Sequence, residues 1–367
     1  MPAPLTQTQL TRDLAVRDLT DPAAGPHAIQ LVVDQAVTAL AARWRCAVRR
    51  WPGDRIVTVA DNYDNLGYDP ADVTRDARYT RYVDADHVLR SHSSALVPAA
   101  LRALAASPAD DVLLVCPGIV YRRDSIDRLH TGTPHQLDLW RVTRGRTMTR
   151  ADLEEMVAAL VPDHRRRLED RRHPYTVDGA QLDIEQNGDW VEIAECGLAH
   201  PDVLARAGLT EGWSGLALGM GLDRMLMLLK GIPDIRLLRS PDPAVSGQLT
   251  DLEPYRPVSP LPPIRRDLSI TVPADDVAED LGDRVRDALG DDATVVESVE
   301  IRQETPYAEL PSRARQRLGA LVGQKNLLIR LVLRPLDRTL SDPEANALRD
   351  RVYAALHQGT VHQWATP

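Results

Sequence analysis

The chain has 367 residues, 26% charged and 43% hydrophobic, a composition typical of globular proteins and a length that favours two domains over one. Its formal net charge of -9 excludes attraction to nucleic acid through whole-chain charge, so any RNA contact must use local basic clusters. The sequence has no apolar run of about 18 residues and no basic-then-apolar leader, and its three cysteines form no CxxC pair. These features predict a cytoplasmic protein without membrane span or zinc site.

The first two thirds of the chain predict strands joined by hairpins, with helices packed on them. We expect residues 1–25 to form a loosely ordered N-terminal lead-in. Strands and helices in this order indicate an antiparallel α+β domain, placed at residues 26–245. The apolar spacing predicts helices at 27–44, 96–106, 150–161 and 222–230, and strands at 55–60, 111–121, 136–142, 180–186 and 189–194.

A proline-rich stretch then changes the composition. Residues 240–263 contain seven prolines, which predict a stiff connector, placed at 246–262. The remaining segment, 263–367, has a β-α-β-β-α order typical of a ferredoxin-like split βαβ domain. Its predicted elements are strands at 267–272, 294–301 and 325–333 and helices at 276–289 and 342–357.

The strongest local signal is the segment GIVYRRDSIDRLHTGTPHQLD at residues 118–138. One strand delivers Arg122 into a loop, and the return strand carries Gln136 and Asp138. Formation of an adenylate requires a fixed cation at the α-phosphate of ATP, because negative charge builds up there as a carboxylate attacks. Arginine suits this role because its planar fork binds phosphate oxygens in a bidentate manner.

A second signal is GLALGMGLDRMLM at residues 215–227. Small residues end a strand, and Arg224 follows in the first turn of a helix, where backbone N–H groups favour anionic phosphates. Glycine-rich junctions of this kind are more often packing devices, so this match by itself is weak.

Together the segments resemble the phenylalanyl-tRNA synthetases, most of all the single-chain form found in mitochondria. The resemblance spans roughly residues 50–367 and implies a class II synthetase antiparallel sheet flanked by helices, followed by a ferredoxin-fold anticodon-binding domain. Five segments match the family in the right order: VLRSHSSA at 88–95, motif 2 at 118–138, WVEIAECGLAHPDVL at 190–204, motif 3 at 215–238, and YRPVSPLPPIRRDLSITV at 255–272.

The resemblance implies an ATP-dependent ligase that activates phenylalanine, or a close aromatic analogue, and transfers it to tRNA, with tRNA(Phe) as the expected partner. It also implies a monomer, because the long subunit-pairing arms of the two-chain bacterial enzymes are missing. We expect the first module to activate the amino acid without the C-terminal one.

The resemblance also implies roles for individual residues. Arg122 would hold the α-phosphate of ATP and Arg224 its γ-phosphate end, while Asp124 and His130 would border the nucleotide. Glu192 would bind Mg²⁺. The ammonium and carboxylate of the amino acid would be held by His92, Ser94, Gln136 and Asp138.

The amino-acid pocket departs from the family pattern. The F-P-F-T segment, whose two rings stack on the substrate, is replaced by a segment with His173 and Tyr175, and Glu195 stands where glycine is usual before a cysteine. Ala217, which would limit the para end of the substrate ring, is retained. These changes predict a more polar pocket than a plain phenyl ring requires.

The chain also contains no phenylalanine at all. Two alternatives to a phenylalanine ligase therefore stay open. One is a tRNA-binding or regulatory paralogue without charging activity. The other is a specialised enzyme of a biosynthetic or self-resistance pathway with altered amino-acid specificity.

Overall fold

The structure is a computed structural model that describes residues 4–76, 79–257, 262–336 and 338–362. The chain forms two units, and each unit is made of three separate segments of the sequence. The expected connector at 246–262 contributes to both units, and its residues 258–261 lie outside the described residues. The first unit comprises Met1–Arg122, Thr133–Ile232 and Gln248–Pro254, and the second comprises Arg123–Gly132, Pro233–Gly247 and Tyr255–Pro367.

The first unit alternates helices and strands. Its elements are α1 Gln7–Ala15, α2 Ala28–Trp44, β1 Ala47–Arg50, β2 Ile56–Thr58, α3 Val59–Asn62, β3 Arg81–Tyr82, β4 His87–Leu89, α4 Val97–Ala106, β5 Asp111–Ile119, β6 His135–Arg144, α5 Arg150–Leu160, β7 Arg166–Asp170, β8 Thr176–Gln186, β9 Asp189–Ala199, α6 Pro201–Arg206, β10 Trp213–Gly221 and α7 Leu222–Lys230.

A large sheet organises the first unit, with strand order β1-β5-β6-β10-β9-β8-β7. Neighbouring strands are antiparallel except for β1 and β5, which are parallel. Helix α4 packs on this sheet through Leu101, which shares a buried cluster with Leu114 and Trp140. Burial of such a leucine side chain contributes about 1.5–3 kcal/mol. The predicted antiparallel α+β architecture is therefore confirmed.

Residues 4–25 contain a helix and a 3₁₀ turn rather than the loosely ordered lead-in expected at 1–25, of which residues 1–3 lie outside the described residues. Helix α1 begins at a capping box in which Thr6 and Gln9 satisfy each other's backbone N–H groups. Its buried Asp13 pairs with Arg81 at 2.7 Å, and Leu19 is also buried. These long-range contacts order the segment, although its sequence is polar.

The second unit contains a smaller sheet with strand order β11-β13-β12. Both pairings are antiparallel, so β11 and β12 run parallel on either side of β13 and are connected through a helix. This is a split βαβ topology. None of the described helices of either unit is long and apolar enough to cross a membrane. The elements of the second unit are α8 Pro243–Ser246, β11 Ile264–Pro273, α9 Ala278–Leu289, β12 Val296–Pro306, α10 Ser312–Leu318, β13 Gln324–Leu333 and α11 Asp342–Leu356.

Candidate active site

The candidate site lies on one face of the large sheet, where β6, β10 and β9 lie side by side. In the strand register Asp138 is opposite Gly219, and Gly219 is opposite Glu195. Trp140 is likewise opposite Ala217. Residues two apart in a strand share a face, so both rows project to the same side of the sheet. Since Gly219 has no side chain, it leaves space between the two carboxylates that flank it.

Asp138 is a buried carboxylate, and its hydrogen-bond donors among the described residues are all neutral. Ser93 Oγ donates to its Oδ2 at 2.5 Å, and Ser94 Oγ donates to the same oxygen at 3.1 Å. Trp140 Nε1 donates to Oδ1 at 3.2 Å. Burial raises the pKa of Asp138 to about 6, and the hydrogen bonds act in the opposite direction. A carboxylate in this setting is suited to bind an ammonium group, which would supply the missing positive charge.

Ser93 is a site residue that the sequence reasoning missed. Its hydroxyl binds Asp138, and its backbone N–H donates to Gln136 Oε1 at 3.0 Å, which fixes the orientation of that amide. The neighbouring predicted residue, Ser94, reaches the same carboxylate because both serines lie in one 3₁₀ turn, Ser93–Leu96. The only indication of this role in the sequence was the run of serines in the segment VLRSHSSA at residues 88–95.

His92 forms an aromatic wall with two tyrosines that were also missed. Its ring stacks on Tyr68 at 5.6 Å between ring centres and meets the edge of Tyr63 at 6.1 Å. Among the described residues neither ring nitrogen of His92 has a hydrogen-bond partner. Burial lowers the pKa of His92 to about 4, so the ring is neutral at physiological pH. His92 therefore offers an uncharged ring and an unused donor and acceptor.

The remaining predicted pocket residues form a second aromatic wall. Tyr175 is buried and stacks on His173, with ring centres 5.6 Å apart. It also lies 6.3 Å from Trp140 and 6.4 Å from Tyr68, measured between ring centres. Ala217 is fully buried in the same cluster. The structure thus brings His173, Tyr175 and Ala217 together.

The two polar departures from the family pattern pair with each other. His173 Nε2 lies 3.0 Å from Glu195 Oε2, and Arg171 Nε lies 3.8 Å from the same carboxylate. Burial acts to raise the pKa of Glu195. The nearby His173, with its Nε2 3.0 Å away, and the charges of Arg171 and Arg122 outweigh it, so that this pKa lies below its ordinary value. The introduced carboxylate is therefore compensated by neighbouring protein groups.

Arg224 and Glu192 lie at the end of the site where the motif 3 helix begins. Arg224 projects from the first turn of α7, and its Nη1 donates to the backbone oxygen of Glu192 at 3.0 Å. Burial raises the pKa of the Glu192 carboxyl, and the charge of Glu195 raises it further. A bound cation would offset both effects. Arg122 follows β5, and its carbonyl oxygen accepts a bond from Arg81 at 3.3 Å.

No group of three or more His, Cys, Asp or Glu side chains that could hold a metal occurs among the described residues. Glu192 is the candidate ligand that the resemblance gives. This fits Mg²⁺, which commonly keeps several waters and binds through one or two carboxylates plus substrate phosphates.

Asp124 and His130 belong to the second unit, in the loop Arg123–Gly132. Asp127, which the sequence reasoning did not select, organises this loop. Its Oδ1 accepts from the backbone N–H of His130 at 2.9 Å, and its Oδ2 lies 2.7 Å from His130 Nδ1. Asp124 Oδ1 accepts from Ser125 N at 3.0 Å. The loop therefore has a defined internal structure that orients the His130 ring.

A buried histidine clamps the start of β6 to the first turn of α7. His135 Nδ1 lies 3.0 Å from Asp223 Oδ1, and the His135 backbone N–H also donates to the Asp223 carboxylate. Leu19 N–H donates to His135 Nε2 at 3.1 Å, so Nε2 is the unprotonated nitrogen. The clamp fixes Gln136 and Arg224 relative to each other, since each is the next residue in sequence.

Asp223→Ala is expected to lower the free energy of unfolding by about 2–4 kcal/mol, because it leaves two buried donors of His135 without an acceptor. Urea denaturation measures this change. Asp202→Ala is the matched control, since Asp202 also occupies the second position of a helix, α6, but is exposed. Equal destabilisation by the two substitutions would argue against the clamp.

Comparisons with known proteins place this geometry in context. Residues 18–249 match the family described as tRNA synthetases class II core domain (F). The phenylalanine–tRNA ligase alpha subunit of Prochlorococcus marinus is 31% identical over 61% of this chain and 68% of that protein. The chloroplastic/mitochondrial phenylalanine–tRNA ligase of Arabidopsis thaliana is 30% identical over 81% of this chain and 68% of that protein. The probable mitochondrial phenylalanine–tRNA ligase of Drosophila melanogaster is 28% identical over 82% of this chain and 75% of that protein.

Proposed function

Because this chain belongs to the class II tRNA synthetase core family and, within it, to the phenylalanine–tRNA ligases, we propose that it activates phenylalanine with ATP and transfers it to tRNA. The observation that carries this proposal is the buried Asp138 carboxylate, whose donors in the described part of the chain, Ser93, Ser94 and Trp140, are all neutral. The ammonium of an amino acid supplies the cation that this carboxylate lacks. Aromatic rings on the same sheet face supply an apolar surface for the substrate side chain.

In the first step an oxygen of the amino-acid carboxylate attacks the α-phosphorus of ATP, and the bond to pyrophosphate breaks. Arg122 would stabilise the charge on the α-phosphate oxygens, and Arg224 would hold the γ-phosphate end. Asp124 and His130 would border the nucleotide. Mg²⁺, held through Glu192, would neutralise phosphate charge when bound. In the second step a hydroxyl of the tRNA 3′ end attacks the carbonyl carbon of the adenylate, and AMP leaves.

The polar pocket residues are compatible with a plain phenyl ring. Unpaired polar groups would disfavour such a ring, but Glu195 is paired with His173 at 3.0 Å. Ala217 is fully buried and, by resemblance, would limit the para end of the substrate ring. The pairing supports phenylalanine rather than a polar analogue as the substrate.

Exchange of labelled pyrophosphate into ATP tests the proposal when measured for all twenty amino acids and for common aromatic analogues. Phenylalanine is expected to give the highest kcat/KM. Exchange with no amino acid would support a tRNA-binding or regulatory paralogue. A preferred analogue would support a specialised biosynthetic or self-resistance enzyme.

The ionisation of Asp138 predicts how activity depends on pH. Its pKa in the folded protein is raised to about 6, so the carboxylate becomes protonated as the pH falls through that value and no longer pairs with ammonium. We expect kcat/KM for phenylalanine at saturating ATP to decrease about tenfold per pH unit below this inflection. A profile of the exchange reaction from about pH 5 to about pH 8 measures it. A profile without an inflection near 6 would contradict the assignment.

The RNA partner is proposed to contact the second unit. Helix α10 presents exposed Arg313 and Arg317, whereas Arg315 of the same helix is held by the carbonyl oxygen of Ala308 at 2.8 Å. Exposed arginines on one short helix suit phosphate contacts.

The choice of tRNA(Phe) as the partner and the monomeric state of the protein stay predictions. All three cysteines are free, which supports the predicted cytoplasmic location.

A further inference from the structure

We propose that helix α9 positions the motif 2 loop, Arg123–Gly132, for ATP, with Arg286 and Gly282 as positioning residues for amino-acid activation. This rests on the proposed function, because it assigns Asp124 and His130 of the loop to the nucleotide. The loop is connected in sequence to β5 and β6 of the first unit, yet it belongs to the second unit together with α9.

Arg286 holds the backbone of the loop through two hydrogen bonds. Its Nη1 donates to the carbonyl oxygen of Asp124 at 2.5 Å, and its Nη2 donates to the carbonyl oxygen of Ser125 at 2.8 Å. A guanidinium group can span two successive carbonyl oxygens because its donors form a rigid planar fork. The contact therefore fixes the peptide that carries the Asp124 side chain.

Gly282 allows the loop to approach the helix this closely. It lies one helical turn before Arg286, and a Cβ at this position would be 2.6 Å from the carbonyl oxygen of Asp124. Such a distance is too short for a carbon and a backbone oxygen, so any larger residue must displace the loop. A glycine inside a helix has a low helix propensity, and here the close approach explains its presence.

Three further contacts continue this attachment along the loop. Ile126 is buried in the core of the second unit, and its carbonyl oxygen accepts from Val299 N at 3.0 Å. Arg123 Nε lies 2.9 Å from Asp283 of α9. The loop is thus attached to α9 and to the adjacent strand β12, independently of Arg286.

The buried carboxylate of Glu297, also in β12, binds the far part of the loop. Arg128 Nη2 lies 2.6 Å from Glu297 Oε1, while Arg334 Nε lies 2.7 Å from Oε2. Glu297 therefore pairs both with Arg128 of the loop and with Arg334, the residue that follows β13. These contacts attach the far part of the loop to the second unit.

The test is Arg286→Ala in the full-length protein, assayed by pyrophosphate exchange without tRNA. The KM for ATP is expected to rise at least about tenfold, since small misplacements of binding groups have large kinetic effects. The KM for phenylalanine is expected to stay within about twofold, because Asp138 and the aromatic walls are unchanged. Arg286→Lys is expected to give an intermediate value, since a lysine cannot span both carbonyl oxygens in the same way.

Arg284→Ala is the matched control. Arg284 lies on the same helix, but its hydrogen bonds within the described residues go to Asp276 and to the carbonyl oxygen of Asp280, not to the loop. Its KM for ATP is expected to equal that of the wild type. Equal increases in the Arg284 and Arg286 variants would overturn the proposal, because they would reflect a general loss of helix stability.

Gly282→Ala displaces the loop without removing the Arg286 side chain. A Cβ at this position would lie 2.6 Å from the carbonyl oxygen of Asp124, so the displaced loop is expected to raise the KM for ATP. An unchanged KM for ATP in both Gly282→Ala and Arg286→Ala would refute the positioning role while leaving the proposed function intact.

Amide hydrogen exchange of residues 123–132 provides a readout that does not require activity. Faster exchange in Arg286→Ala than in Arg284→Ala is expected. If the wild-type protein gave no pyrophosphate exchange, the proposed function would fail. Unchanged loop protection in Arg286→Ala would then overturn the positioning role separately.

Discussion

Arg122→Ala is expected to lower the rate of ATP–pyrophosphate exchange by at least about 10²–10³-fold while the fold stays intact. During adenylate formation, charge builds up on the α-phosphate oxygens, and a fixed guanidinium stabilises this charge more in the transition state than in the ground state. Arg122 lies three residues after the end of β5 at Ile119, and the residues of that strand are almost all buried, so the backbone leading to Arg122 is well anchored. The loss should therefore appear mainly in kcat.

Two further variants make the Arg122 result specific. Arg122→Lys keeps the charge but loses the bidentate geometry, so it should retain more activity than alanine and less than the wild type. Arg166→Ala, in the exposed edge strand β7, should leave exchange unchanged. Circular dichroism and the Tm show whether each variant is folded. Exchange by Arg122→Ala within about tenfold of the wild type would count against the assignment.

Asp138→Asn is expected to raise the KM for phenylalanine by about 10²–10³-fold, because removing one partner of a buried charge pair costs about 3–5 kcal/mol. The KM for ATP should change far less. Asparagine has nearly the same shape and retains a carbonyl oxygen that can accept from Ser93 or Ser94. The substitution therefore removes the charge and leaves most of the local packing. An unchanged KM for phenylalanine would show that the ammonium binds elsewhere.

The same variant separates binding from stability. The pKa of Asp138 is raised from its ordinary value of 3.8 to about 6. The stabilisation from this raised pKa is fully present below 3.8 and is lost as the pH rises through about 6. At neutral pH the folded protein thus carries the cost of burying the ionised group, about 3 kcal/mol. Asp138→Asn should therefore have a Tm at pH 7.5 that equals or exceeds that of the wild type.

Local patterns in the sequence were sufficient for most of the architecture. Helix α7 at Leu222–Lys230 has the predicted bounds, because its apolar residues recur at helical spacing and Gly231 ends it in the left-handed conformation. The hairpin of β8 and β9 turns at the predicted residues, where Asn187 and Gly188 both have positive φ. These features depend on residues close in sequence. The order of the five matching segments was by itself sufficient to indicate the phenylalanyl-tRNA synthetase family.

Only the tertiary structure decided how the site residues are paired. The raised pKa of Asp138 arises from burial, and the compensation of Glu195 by His173 joins a residue of β9 to the connection between β7 and β8. The clamp of His135 on Asp223 joins residues 88 positions apart. The attachment of the motif 2 loop to α9 spans more than 150 positions, from Asp124 to Arg286. A linear pattern does not specify such contacts, because burial and hydrogen-bond partners depend on which distant segments fold against one another.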